Sequence, residues 1–139
     1  VTTGYLLDTN VVSESRKARP NHGVITFLSN TDGDSLFLSV LTLGELRKGV
    51  AAKRRTDSVA ADRFESWVDD TEMKFARRIL KVDAATARLW GELSAGRSVP
   101  PVDTLIAATA IVHGLILVTR NTRDVELTGV ATLNPWDPQ

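Results

Sequence analysis

The chain reads as an α/β fold, with a central and mainly parallel sheet of four to five strands flanked by helices in one domain over residues 1–139. Three observations predict it. Short apolar runs alternate with segments of helical period along the whole length, the pattern of a parallel sheet with helical crossovers. The first run, Gly4-Tyr5-Leu6-Leu7, is apolar on both faces, so it needs cover on both sides. The segment Asp103–His113 has almost no polar face and must lie nearly buried.

Each element has its own signal. The first strand ends abruptly at Asp8, and Thr9 to about Arg16 opens a helix. Arg19-Pro20-Asn21-His22-Gly23 is a break. Val24–Leu28 has short amphipathic helical spacing, ended by Thr31-Asp32-Gly33-Asp34. Ser35–Val40 is the second strand. From Leu41 the period changes, with Leu43, Leu46 and Val50 at helical intervals up to a polar turn at Arg54–Thr56. Val59–Asp70 is a helix with Phe64, Trp67 and Val68 on one side. Ile79–Val82 is the third strand, and Asp83 caps a helix to about Ala95 with Ala84, Ala87, Leu89, Trp90 and Leu93 inward. After a loop at Gly96–Pro101, Asp103 opens the buried helix, which Gly114 stops. Leu115–Thr119 is the fourth strand. A polar loop leads to a short last strand, Val130–Leu133, and an Asn134-Pro135-Trp136 ending, with Asp137 in a polar tail.

Composition narrows the chemistry. Hydrophobic residues make up 42%, enough for a real core. Lys and Arg total 17 against 17 Asp and Glu, so any attraction for phosphate must be local or supplied by a bound cation. The absence of cysteine removes disulfides, thiolate zinc sites and thiol nucleophiles, and fits a reducing, cytoplasmic setting. The Val1–Leu7 opening is too short and too uncharged at its start for a signal peptide, and no apolar run approaches the length of a membrane span.

The acidic residues carry the functional signal. Sites in open parallel sheets form at the carboxyl ends of strands. Asp8 follows the first strand, Glu45 lies one turn into the helix after the second, and Asp103 heads the helix that feeds the fourth. Asn121 and Asp124 lie just past the fourth strand. Carboxylates crowded together repel one another and take up protons unless a cation intervenes. Mg²⁺ suits hard oxygen ligands and keeps waters, one of which it activates for in-line attack on a phosphodiester. Each residue also has a plainer reading: Asp8 and Asp103 as helix caps, Glu45 as a solvated helix residue, Asn121 and Asp124 as turn residues.

Other polar groups are weaker candidates. Asp83 fits a cap, Asp69-Asp70 a solvated helix end, and Asp32 and Asp34 a turn. His113, at a helix end, suits a structural role. Arg47-Lys48 and Lys53-Arg54-Arg55 follow Glu45, and Arg120 and Arg123 follow the fourth strand. Arg47, Lys48, Arg120 and Arg123 are therefore candidates for phosphate contact as well as ordinary solvated charges. Trp67, Trp90 and Trp136 read as core or interface anchors. A Gly-x-x-x-x-Gly-Lys phosphate loop is absent from the sequence.

Four motifs in order, Leu6-Leu7-Asp8-Thr9-Asn10, Leu41-Thr42-Leu43-Gly44-Glu45-Leu46, Pro101-Val102-Asp103-Thr104-Leu105-Ile106-Ala107-Ala108-Thr109-Ala110 and Leu117-Val118-Thr119-Arg120-Asn121, resemble the PIN-domain ribonucleases, most closely the VapC-type toxins of their FitB-like branch. The ending Thr132-Leu133-Asn134-Pro135-Trp136 is similar to theirs as well. The resemblance implies an endoribonuclease dependent on Mg²⁺ or Mn²⁺, with Asp8, Glu45 and Asp103 at the first three acidic positions and Thr9, Asn10, Thr119 and Asn121 in support. Asn121 stands in the slot often filled by a fourth acid, so Asp124 is the substitute candidate and the number of metals stays open. The resemblance also implies an RNA substrate, a small cognate antitoxin, and a homodimer or toxin–antitoxin hetero-oligomer. Val24–Leu28 and Val59–Val68 are candidate contact surfaces.

Two other classes compete. A phosphoacceptor receiver domain is also α/β with carboxylates at strand ends, but it wants a lysine after a late strand, where this chain has Arg120-Asn121. A non-catalytic RNA-binding module of the same fold has only Asn121 in its favour.

Overall fold

The computed structural model of the chain describes residues 3–136; the start of the Val1–Leu7 segment and Asp137 lie outside them. Five strands, β1 (Tyr5–Leu7), β2 (Leu36–Ser39), β3 (Ile79–Leu80), β4 (Ile116–Val118) and β5 (Thr132–Leu133), form one sheet in the order β3-β2-β1-β4-β5. All pairings are parallel, with Tyr5 in register with Leu36 on one side and Ile116 on the other. Helices α1 (Thr9–Arg16) and α2 (His22–Asn30) connect β1 to β2, α3 (Val40–Arg54) and α4 (Ser58–Lys74) connect β2 to β3, and α5 (Ala84–Ser94) and α6 (Pro101–His113) connect β3 to β4.

The chain works outward from β1 to β3, then returns to add β4 and β5 on the other side of β1. The connection direction therefore reverses between β1 and β4. At such a switch point the loops part, leaving a crevice at the carboxyl ends of the strands.

Adjacent residues of each central strand serve opposite layers. Leu7 and Val118 join Val11, Val24, Leu38 and Val68 under α1 to α4. Leu6 and Leu117 join Ile106, Ala107 and Ala110 under α6. This explains the unbroken apolar runs: both faces are covered. Side-chain caps set where the helices begin. Asp8, Asn21, Ser39, Asp57 and Asp83 each accept a backbone N–H of the helix that follows. Two arginines clamp α3 to α4: Arg47 contacts Asp69 at 2.7 Å and Glu72 at 3.2 Å, and Arg54 contacts Asp62 at 2.9 Å and Glu65 at 3.0 Å. Gly49 lets the helices approach, since a Cβ there would come within 3.0 Å of the Phe64 ring.

Several expectations shift. Because Asn21 caps it, α2 starts at His22, inside the predicted break, and runs on to Asn30. Helix α4 continues beyond Asp70 to Lys74, with Thr71 buried. Strands β3 and β5 pair over two residues each, shorter than Ile79–Val82 and Val130–Leu133. The polar stretch after β4 is a 3-10 segment, Thr122–Thr128. On α5 the buried residue is Thr86, while Ala84 and Ala87 are exposed. Helix α6 is buried from Thr104 to Ala110 apart from half-buried Leu105, yet Ile111 and Val112 reach solvent, so it is less enclosed than its composition suggests. Of the two candidate contact surfaces, Ile25 and Val59 are exposed, whereas Val24 and Val68 belong to the core. Among the described residues no helix is long and apolar enough to cross a membrane.

Gly114 ends α6 at φ 65°, in the left-handed region, and its N–H caps carbonyls of the last turn. Gly114→Ala keeps ample space for the methyl but strains the backbone. It is expected to cost about 1–2 kcal/mol and to lower the melting temperature by about 3–8 °C. Thermal unfolding followed by circular dichroism checks this; an unchanged midpoint contradicts it.

Candidate active site

The end of β1 and the end of β4 meet at the switch point. The Asp8 N–H donates to Val118 O at 2.9 Å, so Asp8 and Thr119 emerge side by side. The Asp8 carboxylate is shared between two tasks. Its Oδ1 accepts the Thr9 N–H at 2.8 Å and so starts α1. Its Oδ2 accepts the Thr119 hydroxyl at 2.7 Å and the Asn10 amide at 3.3 Å. The cap reading and the site reading of Asp8 are therefore both satisfied by one side chain.

Thr119 is only 1% exposed and acts as the hub of this corner. Besides donating to Asp8, its Oγ accepts from Asn10 Nδ2 at 3.3 Å and from the Asn121 N–H at 3.1 Å. Asn10 Oδ1 in turn accepts the Arg120 N–H at 3.4 Å. The Asn121 side chain is exposed, and its contribution is through the backbone. Glu45 is exposed but tethered. Thr9 Oγ donates to Glu45 Oε1 at 2.5 Å and lies 3.0 Å from Thr42 Oγ. Thr42 is fully buried, and sequence reasoning missed it. Its signal was a hydroxyl between Leu41 and Leu43, one helical turn before Glu45.

Asp103 is the third residue of α6. The helix begins at Pro101 with Pro100 in the cap position and no side-chain cap, so Asp103 is not the N-cap. It is half-buried in a first turn where the helix dipole favours an anion. Asp124 lies in the first turn of the 3-10 segment after β4.

Electrostatics joins these four acids. Burial pushes the Asp8 carboxyl above its ordinary value; hydrogen bonds from Thr119 and Thr9 oppose this, and the charges of Glu45 and Asp124 add to it. Burial also pushes Asp103 up, reinforced by Asp8, Glu45 and Asp124 in that order. The structure thus brings Asp8, Glu45, Asp103 and Asp124 into one negative field. Among the described residues, no three of them close tightly enough to hold an ion by direct ligation alone. The donor set still fits a hard divalent ion, because Mg²⁺ is commonly held by one or two carboxylates with the rest of its shell as water. Two raised, half-buried carboxylates in a four-acid field are short of positive charge.

The predicted basic contacts separate. Arg47 is engaged with α4, away from the acids. The Arg120 guanidinium stacks 5.2 Å from the Trp136 ring centroid. Arg123 is exposed on the 3-10 segment. Lys48 is exposed one turn beyond Glu45, in the same concavity. His113 is exposed, and Asp83, held below the usual carboxylate range first by the Thr86 N–H, also feels its charge.

The chain is similar to known proteins. The family model described as PIN domain matches residues 5–129. A VapC ribonuclease, Y4jK of Sinorhizobium fredii, is 37% identical over 96% of this chain and 98% of its own. Toxin FitB of Neisseria gonorrhoeae is 35% identical over 94% of this chain and 97% of its own. The crystal structure of FitAcB from Neisseria gonorrhoeae superposes with a TM-score of 0.80 at 34% identity, covering 96% of this chain and 99% of that one. The family match runs from the first strand through the 3-10 segment that carries Asp124, and on these grounds the chain belongs to the PIN-domain family.

Proposed function

We propose that the chain is a divalent-metal-dependent endoribonuclease, the toxin of a toxin–antitoxin pair, acting in the cytoplasm to cut RNA and so arrest translation and growth. The observation that carries this reading is the four-acid field at the β1/β4 switch point, with Asp8 clamped by Thr119 and Asn10. Mg²⁺ is the ion assigned, with Mn²⁺ as an alternative of the same ligand preference.

In this reading Asp8 is the fixed ligand, because both of its oxygens are oriented by donors. Thr9 positions Glu45 from across the crevice. Asp103 and Asp124 complete the field, and Asp124, not Asn121, supplies the fourth charge. When bound, the ion supplies a lowered pKa for a coordinated water and charge neutralisation at a phosphate oxygen. Water hydrolyses the phosphodiester without histidine or thiol. Arg120 and Arg123, beside Asp124, and Lys48, beyond Glu45, are placed to meet neighbouring phosphates.

The partner assignment follows from the relatives and from one groove. The toxin FitB relative and the FitAcB structure point to a small antitoxin. An apolar cleft of about 270 Å³ between α1, α2 and α4, floored by Leu7, Val12, Trp67 and Phe75, offers it a seat. Assembly as a homodimer or toxin–antitoxin complex belongs to the same reading. The receiver reading is not favoured, since Arg120 and Asn121 stand where it requires a lysine.

Replacing Asp8 or Asp103 with Asn is expected to lower Mg²⁺-dependent RNA cleavage, and growth arrest on expression, on the order of 100-fold or more. Unchanged activity in either purified variant sinks the assignment. Thr119→Val removes the hydroxyl that orients Asp8 and leaves two donors unmatched. It is expected to weaken Mg²⁺ affinity by about 10–100-fold, read by titration calorimetry. Wild-type affinity in a folded Thr119→Val protein contradicts the hub role.

The pH dependence has a definite sign. Asp8 and Asp103 lie above their ordinary 3.8, so between 3.8 and the raised values the folded chain holds more protons than the unfolded one. Metal-free stability therefore falls as pH rises through that window, and the penalty is fully present above it. Mg²⁺ offsets the penalty at neutral pH. Its increment in melting temperature is expected to shrink as pH falls into the window, and an increment independent of pH contradicts this.

A further inference from the structure

The geometry points to a single-stranded RNA track along α3, running from the acid field to a basic pocket, in which Gly44 keeps a base seat open. This inference rests on the ribonuclease reading and names where the strand beside the cut lies.

Two concavities line the outer face of α3. One, of about 570 Å³, is bordered by Glu45, Gly44, Lys48 and, from α6, Val102, the neighbour of Asp103. The other, of about 400 Å³, is bordered by Lys53 and by Arg16 and Phe64 from α1 and α4. Gly49 and Ala52 border both, so the two adjoin along α3 as a trench. Glu45 and Lys53 are eight residues apart on one helix, which spans about 12 Å. One end of the trench is the cutting site. The other end is cationic.

The charges on α3 are sorted. Arg47 and Arg54 turn to α4 and are neutralised by its acids. Lys48 and Lys53 border the trench, and among the described residues neither has an ion-pair partner. The Arg16 guanidinium lies over the Phe64 ring, 4.1 Å from its centroid, at the far end. An acidic peptide would meet these cations, but at the other end it would meet Glu45 and Asp103. A nucleic acid strand matches both ends, because its phosphates reach the lysines and its scissile phosphate reaches the metal-holding acids.

The floor is apolar. Leu41, Ala52 and Val102 line it, and Val40 is exposed at its edge. Gly44 is the informative residue. Glycine weakens a helix interior relative to alanine, and its own fold does not require it here, since a Cβ at Gly44 would meet nothing within 4 Å. Gly49 is different, because Phe64 occupies the space beside it. A side chain at Gly44 would project into the trench, so glycine leaves that stretch of the floor uncovered.

The test uses the wild-type chain and the variants Gly44→Leu, Ala52→Leu and Lys53→Ala. Binding of a short, labelled, random-sequence single-stranded RNA is followed by fluorescence anisotropy without metal, so that nothing is cut. Mn²⁺ binding, melting temperature and sedimentation are measured on the same proteins. Filling the trench with Gly44→Leu or Ala52→Leu is expected to weaken RNA binding about tenfold or more, with Mn²⁺ affinity, melting temperature and oligomeric state retained. Lys53→Ala is expected to reduce the slope of log affinity against log salt by about 0.7. Wild-type RNA affinity in both leucine variants overturns the track. A change from dimer to monomer with RNA affinity retained per chain also overturns it, by assigning the trench to a second copy. Ala52→Leu, two turns from Glu45, keeps the test decisive if Gly44→Leu loses Mn²⁺. A wild-type chain that binds RNA through the trench but cuts none counts against the ribonuclease reading and leaves the track standing.

Discussion

The hydroxyl of Thr119 on the carboxylate of Asp8 joins two points that are 111 residues apart in the chain. The sheet order makes that bond available, because β1 and β4 are neighbours only after the chain has returned from β3. Once it forms, much else follows. Asp8 is held at the crevice, α1 starts from its other oxygen, Thr9 is presented toward Glu45, and Asn10 closes the corner by bridging to the Arg120 backbone. A buried polar hub of this kind is stable only when every member is satisfied, and here Asp8, Asn10 and Thr119 all are.

The architecture was legible because its cause is local. The apolar runs Tyr5–Leu7 and Ile116–Val118 are read directly as strands covered on both faces, and the Asp, Asn and Ser caps are read directly as helix starts. Element ends were less legible. Strands β3 and β5 stop where their edge pairing stops, which is a tertiary fact. Helix α2 begins at His22 because the Asn21 side chain accepts two backbone N–H groups, a choice that the neighbouring Pro20 and Gly23 obscured.

The site was legible in part for the same reason. Asp8, Glu45 and Asp103 stood at predicted strand ends and helix starts, and the fold carries them to one edge. Asp124 was ambiguous because a short 3-10 segment, not a loop, sets its direction. Arg47 could not be separated from Lys48 by sequence, as the choice depends on which side of α3 meets the acids of α4. Thr42 and Thr119 looked ordinary. Their importance lies in hydrogen bonds to residues distant in the chain, which no periodicity encodes.

The shared carboxylate of Asp8 has a further consequence. Crowded acids normally relax by binding a proton, and a proton needs a lone pair. At Asp8 three of the four carboxylate lone pairs are claimed, by the Thr9 amide on Oδ1 and by the Thr119 hydroxyl and the Asn10 amide on Oδ2. Only Oδ1, the oxygen that starts α1, keeps a lone pair open, so a proton and a cation compete for one position there. Asp103 has no such side-chain donors among the described residues. The acid cluster thus has one member with a single open position, Asp8, and one whose oxygens are unclaimed, Asp103. The donors that fix Asp8 therefore also fix the one direction from which anything charged can reach it.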